Sequence, residues 1–125
     1  MKKLFLVDGV AGTVKNDLIR FVNTELSPNS IIVSKYTTRP RRHTDDLVDL
    51  IFISNEEFEQ VRKDCYYYPY GEMSDGYGKF DYGIPKMHLQ AAIRNYENIF
   101  VIVRNRQRIE EIGRASCRER VSRVV

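Results

Sequence analysis

A glycine-containing loop near the start of the chain has residue types that bind phosphate. After an apolar run, Gly9, Gly12 and Lys15 partly follow the pattern G-x-x-x-x-G-K-[S/T], with Val14 and Asn16 at its second glycine and its hydroxyl position. In such loops backbone N–H groups surround the phosphates, the Lys reaches the outer ones and the hydroxyl binds magnesium. The pattern therefore predicts a phosphate site in which the Asn16 side-chain carbonyl is the magnesium ligand.

A second interpretation of this loop stays open. Gly9 and Gly12 can also form no more than a tight turn between a strand and a helix. Val14 favours this alternative, because its β-branched side chain stands where a phosphate normally approaches the backbone closely. The order of strand, glycine loop and helix favours the phosphate site, because the positive end of a helix adds to the N–H groups.

A basic segment supplies a second set of candidate phosphate ligands. It reads Tyr-Thr-Thr-Arg-Pro-Arg-Arg over residues 36–42, which places Arg39, Arg41 and Arg42 within four positions. A guanidinium group presents a planar fork that matches paired phosphate oxygens. Taken alone, the segment is slightly better explained as a solvated basic turn.

The first half of the chain predicts alternating strands and helices that position these loops. Continuous apolar runs favour buried strands, and apolar residues at intervals of three and four favour a helix. The predicted elements are a central strand over Lys3–Val7, a helix starting near Lys15, a strand over Ile31–Val33, an irregular polar loop over Lys35–Asp49 and a short strand over Leu50–Ile53.

The second half adds a hairpin and a further helix and strand. Ser54 and Glu57 have the spacing of a capping box, which predicts a helix through about Lys63. The remaining predictions are a strand over Tyr66–Tyr70 that pairs with Lys79–Tyr82, a helix beginning at Pro85 and a central strand over Ile99–Val103. Together the elements predict an α/β fold with a parallel sheet and a small antiparallel insertion.

The charge balance separates the last residues from the rest of the chain. The chain has 20 Lys and Arg against 17 Asp and Glu, and residues 112–125 hold four Arg and one Glu, so residues 1–111 carry 16 of each. The run over residues 111–121, EIGRASCRERV, resembles a sequencing adapter translated in one frame, which predicts a non-native tail. A short basic helix is the alternative. We expect one domain over residues 1–111, incomplete at its C-terminus.

Composition indicates the class of protein and its compartment. The excess positive charge lies in the suspect tail, so it does not predict a nucleic-acid or membrane partner. No apolar run approaches the length of a membrane span or a secretory signal. Outside the tail Cys65 is alone, which favours a reducing compartment, and we expect a cytoplasmic protein.

Other conspicuous residues have structural interpretations. We expect Tyr66, Tyr67, Tyr68 and Tyr70 to form a strand with aromatic faces rather than a base-stacking surface. Lone Cys65 is expected in the core, and His88 is expected to be structural or exposed rather than a metal ligand. The acidic residues Asp45, Asp46 and Asp49 are expected in a solvated loop.

The basic segment also carries a family resemblance. Thr37-Thr38-Arg39-Pro40-Arg41 resembles the T-T-R-x-P-R signature of guanylate kinases with one residue deleted. Residues 52–58 are similar to the family's F-V-S-x-E-E-F block, and Tyr82-Gly83 is similar to its Y-Y-G motif. The resemblance covers residues 3 to about 104. It implies a P-loop three-layer α/β core over residues 1–34 and 84–111, with an antiparallel α+β acceptor-binding insertion over residues 35–83.

The resemblance implies a kinase that transfers the γ-phosphoryl group of ATP to GMP, with ATP and Mg2+ bound at the glycine loop. Gly9 and Gly12 would shape the ATP site, Asn16 would bind Mg2+ and Lys15 would brace the transferring group. The residues expected at the acceptor are Arg39 and Arg41 on its phosphate, Arg42 as a substitute for Arg41, Tyr82 as a hydroxyl donor and Glu72 as the reader of the guanine base. One well-placed cation in such a site contributes about 10³ to 10⁵ in rate.

Several residues depart from the family pattern around this site. Leu50 replaces a phosphate-binding Tyr, Lys35 falls where a small hydroxyl residue usually lies, and Arg104 falls near a family Asp. Two function classes therefore stay open. The first is a nucleoside monophosphate kinase, and the second is a non-catalytic guanylate kinase-like module that binds a phosphorylated or acidic partner through its basic groove.

Overall fold

The computed structural model describes residues 2–7, 13–26, 28–41, 49–71, 79–117 and 122–124. Within these residues the chain forms two four-stranded sheets, four α-helices and one short 3₁₀ helix at Arg62–Asp64. The strands are β1 (Lys3–Val7), β2 (Ser30–Ile32), β3 (Lys35–Thr37), β4 (Leu50–Phe52), β5 (Cys65–Tyr70), β6 (Phe80–Pro85), β7 (Asn98–Ile102) and β8 (Ser122–Val124). The helices are α1 (Thr13–Glu25), α2 (Asn55–Val61), α3 (Lys86–Asn95) and α4 (Arg106–Cys117).

The first sheet, which we call the core sheet, is parallel and has the order β2-β7-β1-β8. Its two middle strands pair with Leu4 opposite Ile99 and Leu6 opposite Val101. Both strands are continuous apolar runs, as expected for parallel strands covered on both faces. The predictions of central strands near Lys3–Val7 and Ile99–Val103 are confirmed.

Helices cover both faces of the core sheet. Side chains alternate along β7, so Phe100 and Ile102 pack with Val22 of α1 on one face. Ile99 and Val101 face the other way and join the cluster that contains Leu89 of α3, together with residues of α4. The predicted three-layer α/β architecture is therefore confirmed.

The second sheet, which we call the inserted sheet, lies between β2 and α3 in the chain and has the order β4-β3-β6-β5. The predicted hairpin is present, because β5 and β6 pair antiparallel over six residues each. The sheet is mixed rather than wholly antiparallel, since β3 pairs parallel with β4. The predicted capping box is also present: Ser54 Oγ accepts from Glu57 N–H and Ser54 N–H donates to Glu57 Oε1, each at 3.1 Å.

One predicted element is wrong. The interpretation of Lys35–Asp49 as an irregular polar loop is wrong at its start, because Lys35–Thr37 is a strand in the middle of the inserted sheet. Asp49 is 2% exposed rather than solvated. The strand was hidden because its buried positions include a lysine, which does not follow the apolar alternation that predicts strands. Asp45 and Asp46 lie outside the described residues.

The C-terminal segment joins the core sheet. Helix α4 continues through position 112, where Ile112 is fully buried, and β8 pairs parallel with β1. The expected boundary after residue 111 therefore falls inside a helix. The adapter origin of residues 112–125 stays a prediction, which the coding DNA tests directly. Within the described residues no helix combines the length and apolar character needed to cross a membrane.

We predict that Gly83→Ala destabilises the inserted sheet. A Cβ atom at Gly83 would lie 2.9 Å from Cys65 Cβ and 3.2 Å from Phe58 Cζ. The Cys65 atom is fixed to the backbone of β5, so the hairpin must shift, and overpacking of this kind costs about 1–3 kcal/mol. Urea unfolding measures the change, with Met87→Ala as the surface control because Met87 is 77% exposed. Equal unfolding midpoints for Gly83→Ala and the wild type would contradict the prediction.

Candidate functional site

The candidate site lies where the carboxyl ends of β1 and β7 leave the core sheet. Val7 and Ile102 are paired in the parallel register, and Val103 N–H donates to Val7 O at 2.9 Å. In the chain, α1 is the next helix after Val7, and Arg104 directly follows Val103. In open α/β sheets ligands bind at the carboxyl ends of the strands. The predicted phosphate loop and Arg104 therefore follow neighbouring strand ends.

The structure places part of the predicted phosphate loop. Lys15 and Asn16 lie in the first turn of α1, which begins at Thr13, two residues before the predicted start. A helix N-terminus carries unpaired N–H groups and partial positive charge, which suits a phosphate. Gly9 and Gly12 lie outside the described residues, as do Arg42 and Glu72 of the expected acceptor site. Their roles stay predictions.

Two threonines shape the basic segment. Thr37 is fully buried, and its Oγ1 accepts a hydrogen bond from Arg39 N–H at 3.1 Å. Thr38 is tied to β6 twice, because its N–H donates to Asp81 O at 3.1 Å and its Oγ1 accepts from Asp81 N–H at 3.0 Å. Tyr67 in turn donates its hydroxyl to Asp81 Oδ1 at 2.7 Å. The Thr-Thr-Arg sequence is therefore held by hydrogen bonds at the end of β3 rather than forming a free basic loop.

The two described arginines of this segment share one aromatic ring. The guanidinium carbons of Arg39 and Arg41 lie 5.6 and 4.8 Å from the ring centroid of Phe52 in β4. A cation held against an aromatic ring gains roughly 0.5–2 kcal/mol, depending on how far the pair is desolvated. Arg39 is 8% exposed, whereas Arg41 is exposed. The structure thus brings together the two arginines that were predicted to bind the acceptor phosphate.

A buried lysine joins the inserted sheet to the core sheet. Lys35 Nζ donates to Ile102 O at 2.9 Å, and Lys35 N–H donates to Asp49 O at 2.9 Å. Burial lowers the Lys35 pKa from 10.5 to about 8; the Asp49 carboxylate raises this pKa, and Arg104 and Arg39 lower it further. The sequence placed Lys35 near the site only as a departure from the family pattern, and it did not assign the Asp49 carboxylate to the site.

Three tyrosine rings pack together beside these charged groups. The Tyr82 ring is stacked on Tyr68 with centroids 5.5 Å apart and meets Tyr70 edge-on at 6.2 Å. Lys35 Nζ lies 5.8 Å from the centroid of Tyr82. Burial raises the pKa of the Tyr68 phenol, although the hydrogen bond from the Arg104 backbone lowers it. Tyr82 is 8% exposed, and its predicted role as a hydroxyl donor stays a prediction.

Arg104 contacts Tyr70, one of these three tyrosines. One guanidinium nitrogen donates to Tyr70 Oη at 2.6 Å, and the guanidinium carbon lies 4.8 Å from the centroid of that ring. We call the group formed by Lys35, Asp49, Tyr70, Tyr82 and Arg104 the cationic cluster. Its members come from β3, β5, β6 and the segments before β4 and after β7, so sequence spacing alone could not bring them together.

The structural interpretations of the remaining residues fit their positions. Residues 65–70 form a strand, as expected for the tyrosine run. Cys65 is buried, and burial raises its pKa to about 11, which is the behaviour of a core thiol. His88 is exposed, and its ring centroid lies 6.1 Å from that of Tyr36. Among the described residues no group of three His, Cys, Asp or Glu side chains forms a metal site.

Comparison with known proteins relates the chain to guanylate kinases. It is 29% identical over 99 residues to a guanylate kinase of Oceanobacillus iheyensis, a match that covers 78% of this chain and 46% of that protein. The crystal structure of guanylate kinase from Anaplasma phagocytophilum matches with a TM-score of 0.55 and 19% identity, over 90% of this chain and 54% of that one. No family model matches. The chain thus spans about half the length of these relatives and shares the fold.

In the wild type we expect the free energy of unfolding to increase as pH rises from about 8 to 10.5, and we predict that Lys35→Met removes this increase. The unfolded chain keeps the ordinary Lys pKa of 10.5, while the folded value is about 8. Between these values the unfolded state binds more protons, so the wild type gains stability as pH rises through this window. The gain reaches about 3 kcal/mol, because each pKa unit corresponds to about 1.4 kcal/mol.

The measurement is urea unfolding of both proteins from pH 7 to pH 11. Tyrosine and cysteine titrations are shared by both chains, so the difference between the two free energies of unfolding isolates Lys35. Lys63→Met is the matched control, since Lys63 is exposed on the 3₁₀ helix. If the free energies of unfolding of the wild type and Lys35→Met change with pH in parallel, the claim that Lys35 is a buried ammonium group with a lowered pKa is wrong.

Proposed function

We propose that this chain, a divergent guanylate kinase-like protein, carries the phosphate loop and the acceptor site of a nucleotide kinase. The reaction is transfer of the γ-phosphoryl group of ATP to a nucleoside monophosphate, with GMP the acceptor suggested by resemblance. One observation carries the proposal. Helix α1 follows β1 in the chain, and the cationic cluster lies at the carboxyl end of β7, the strand that pairs with β1.

The described residues fit an acceptor phosphate. Arg39 and Arg41 are held against Phe52, so their orientation is partly fixed before a ligand binds. Bidentate hydrogen bonds from guanidinium groups to phosphate are strong and directional. In the proposed complex these arginines grip the acceptor phosphate, and the Tyr82 hydroxyl donates to it. Their function is to place the attacking oxygen and to balance charge.

The start of α1 fits the phosphates of ATP. In the proposal Lys15 braces the transferring phosphoryl group, while the N-terminal N–H groups of α1 face the phosphates. Magnesium at nucleotide sites is held largely by phosphate oxygens and water, with one or two protein ligands. A single amide ligand from Asn16 suits this mode of binding. Bound Mg2+ would neutralise charge on the phosphates during transfer.

A second candidate function is a non-catalytic module that binds a phosphorylated or acidic partner. The guanidinium groups of Arg104 and Arg39 both act on the buried ammonium group of Lys35, and this positive charge favours anion binding whether or not phosphoryl transfer occurs. Binding of a nucleoside monophosphate without turnover would favour this function over the kinase.

We predict that Arg39→Gln weakens GMP binding at least about tenfold, because hydrogen bonds to charged groups contribute about 1.5–3 kcal/mol. Isothermal titration calorimetry on the full chain measures the affinity. Arg94→Gln is the matched control, since Arg94 is exposed near the end of α3. Equal GMP affinity for the wild type and Arg39→Gln would remove the acceptor-site assignment.

We predict that Lys15→Ala lowers the rate of ATP consumption by a factor on the order of 10³ in the presence of the preferred nucleoside monophosphate, because the Lys15 cation stabilises the transferring group. The assay screens nucleoside monophosphates with the full chain, and Lys63→Ala is the control for loss of a lysine. Turnover that is the same in the wild type and Lys15→Ala, or absent from both, rejects the kinase.

A further inference from the structure

Asp81 in β6 fixes the backbone just before Arg39. Both of its backbone groups bind Thr38, because Asp81 O accepts from Thr38 N–H at 3.1 Å and Asp81 N–H donates to Thr38 Oγ1 at 3.0 Å. Thr38 directly precedes Arg39, which carries one of the guanidinium groups assigned to the acceptor phosphate. The position of Asp81 therefore sets where the segment that carries this arginine leaves the inserted sheet.

The neighbouring strand β5 holds Asp81 through a side chain. The residue opposite Asp81 is Pro69, which has no N–H group to donate. Tyr67 precedes Pro69 by two residues, so its side chain lies on the same face of the sheet as the Asp81 side chain and within reach of it. The Tyr67 hydroxyl donates to Asp81 Oδ1 at 2.7 Å. Hydrogen bonds to carboxylates are strong, so this contact ties Asp81 to β5 at the position where proline cannot donate.

The Tyr67 ring is itself held in place. The guanidinium carbon of Arg62 lies 3.9 Å from its centroid, and the Phe58 ring meets it edge-on at 5.9 Å. Arg62 is also paired with Glu59 at 3.4 Å. Contacts on the face and the edge of an aromatic ring stabilise one orientation of it. The hydroxyl is therefore directed at Asp81 by packing against α2 and the 3₁₀ helix.

Tyr67 lies on the face of the inserted sheet opposite to the acceptor site. It pairs with Gly83, whereas Thr37, two residues before the acceptor arginine, pairs with Tyr82. Side chains alternate between the two faces of a strand, so the adjacent positions 82 and 83 face opposite ways. The side chains of Tyr67 and Tyr82 therefore lie on opposite faces. An effect of Tyr67 on a ligand beside Tyr82 must pass through β6.

We propose that Tyr67 is a positioning residue for the acceptor site: its hydrogen bond to Asp81 holds the segment that carries Arg39 in the arrangement that binds the acceptor phosphate. This inference rests on the proposed function, because it takes Arg39 to be a ligand of that phosphate. Without the hydroxyl, Asp81 keeps its hydrogen bonds to Thr38 but loses its side-chain tie to β5. Arg39 then occupies its binding position for a smaller fraction of the time, and the apparent affinity falls with that fraction.

Calorimetry on the full chain with GMP as the probe tests this role. Tyr67→Phe keeps the ring and removes the hydroxyl, so it should weaken GMP binding by at least about threefold. In the Arg39→Gln background the same change should alter GMP affinity by less than about 1.5-fold, because the arginine that Tyr67 positions is gone. Tyr96→Phe is the matched control for a lost hydroxyl and should leave GMP affinity unchanged, since Tyr96 lies between α3 and the start of β7.

Two variants of Asp81 separate the hydrogen bond from the general stability of the sheet. Asp81→Asn keeps an acceptor oxygen for the Tyr67 hydroxyl and should hold GMP affinity within about twofold of the wild type. Asp81→Ala should weaken GMP binding as Tyr67→Phe does, and thermal unfolding checks that each variant is folded.

The outcomes distinguish the positioning role from the proposed function. If Tyr67→Phe binds GMP as the wild type does, or loses the same factor with and without Arg39, the positioning role is overturned. In both cases the weaker GMP binding of Arg39→Gln still supports the acceptor site. If GMP does not bind, or binds equally to Arg39→Gln and the wild type, the acceptor site and the positioning role fail together.

Discussion

The hydrogen bond from the Lys35 ammonium group to Ile102 O is the contact on which the geometry of the candidate site depends. It links the inserted sheet to the last residue of the central core strand β7. The same lysine is bound through its backbone N–H to Asp49 O, and Arg104 lies two residues beyond Ile102. One buried side chain therefore sets where the inserted sheet, the buried carboxylate and the second cation lie relative to the strand ends. Its lowered pKa reflects the free energy that this burial costs.

Hydrogen bonds and rings around this link hold the other polar groups in place before a ligand arrives. Thr37 and Thr38 fix the backbone that carries Arg39, and Phe52 lies under the guanidinium group. A flexible arginine loses conformational freedom when it binds, at a cost of roughly 0.5–1.5 kcal/mol per side chain. Contacts that restrict the side chain in the free protein reduce this cost. The aromatic and threonine positions thus contribute to affinity without touching the ligand.

The sequence predicted the elements whose residues follow a simple apolar or capping pattern. It did not predict the positions at which a charged side chain is buried. β1 and β7 followed from apolar runs, and α2 followed from the spacing of Ser54 and Glu57, because these signals are local. β3 was missed because its buried residue at position 35 is a lysine, and the ammonium group can be buried because it donates a hydrogen bond to a carbonyl oxygen 67 residues away. Asp49 was assigned to solvent for the same reason. No local pattern contains such a partner, so the cationic cluster could be recognised only from the three-dimensional structure.

Arg104 places a second positive charge near the buried ammonium group of Lys35. A carboxylate at that position would pair with the nearby ammonium group and accept hydrogen bonds from a base, leaving the site close to neutral. A guanidinium group does the opposite, since it repels the ammonium group and presents only donors. With Lys35 fixed by the link between the sheets, the positive charge at position 104 therefore lowers the Lys35 pKa and adds to the free energy that burial of the ammonium group costs.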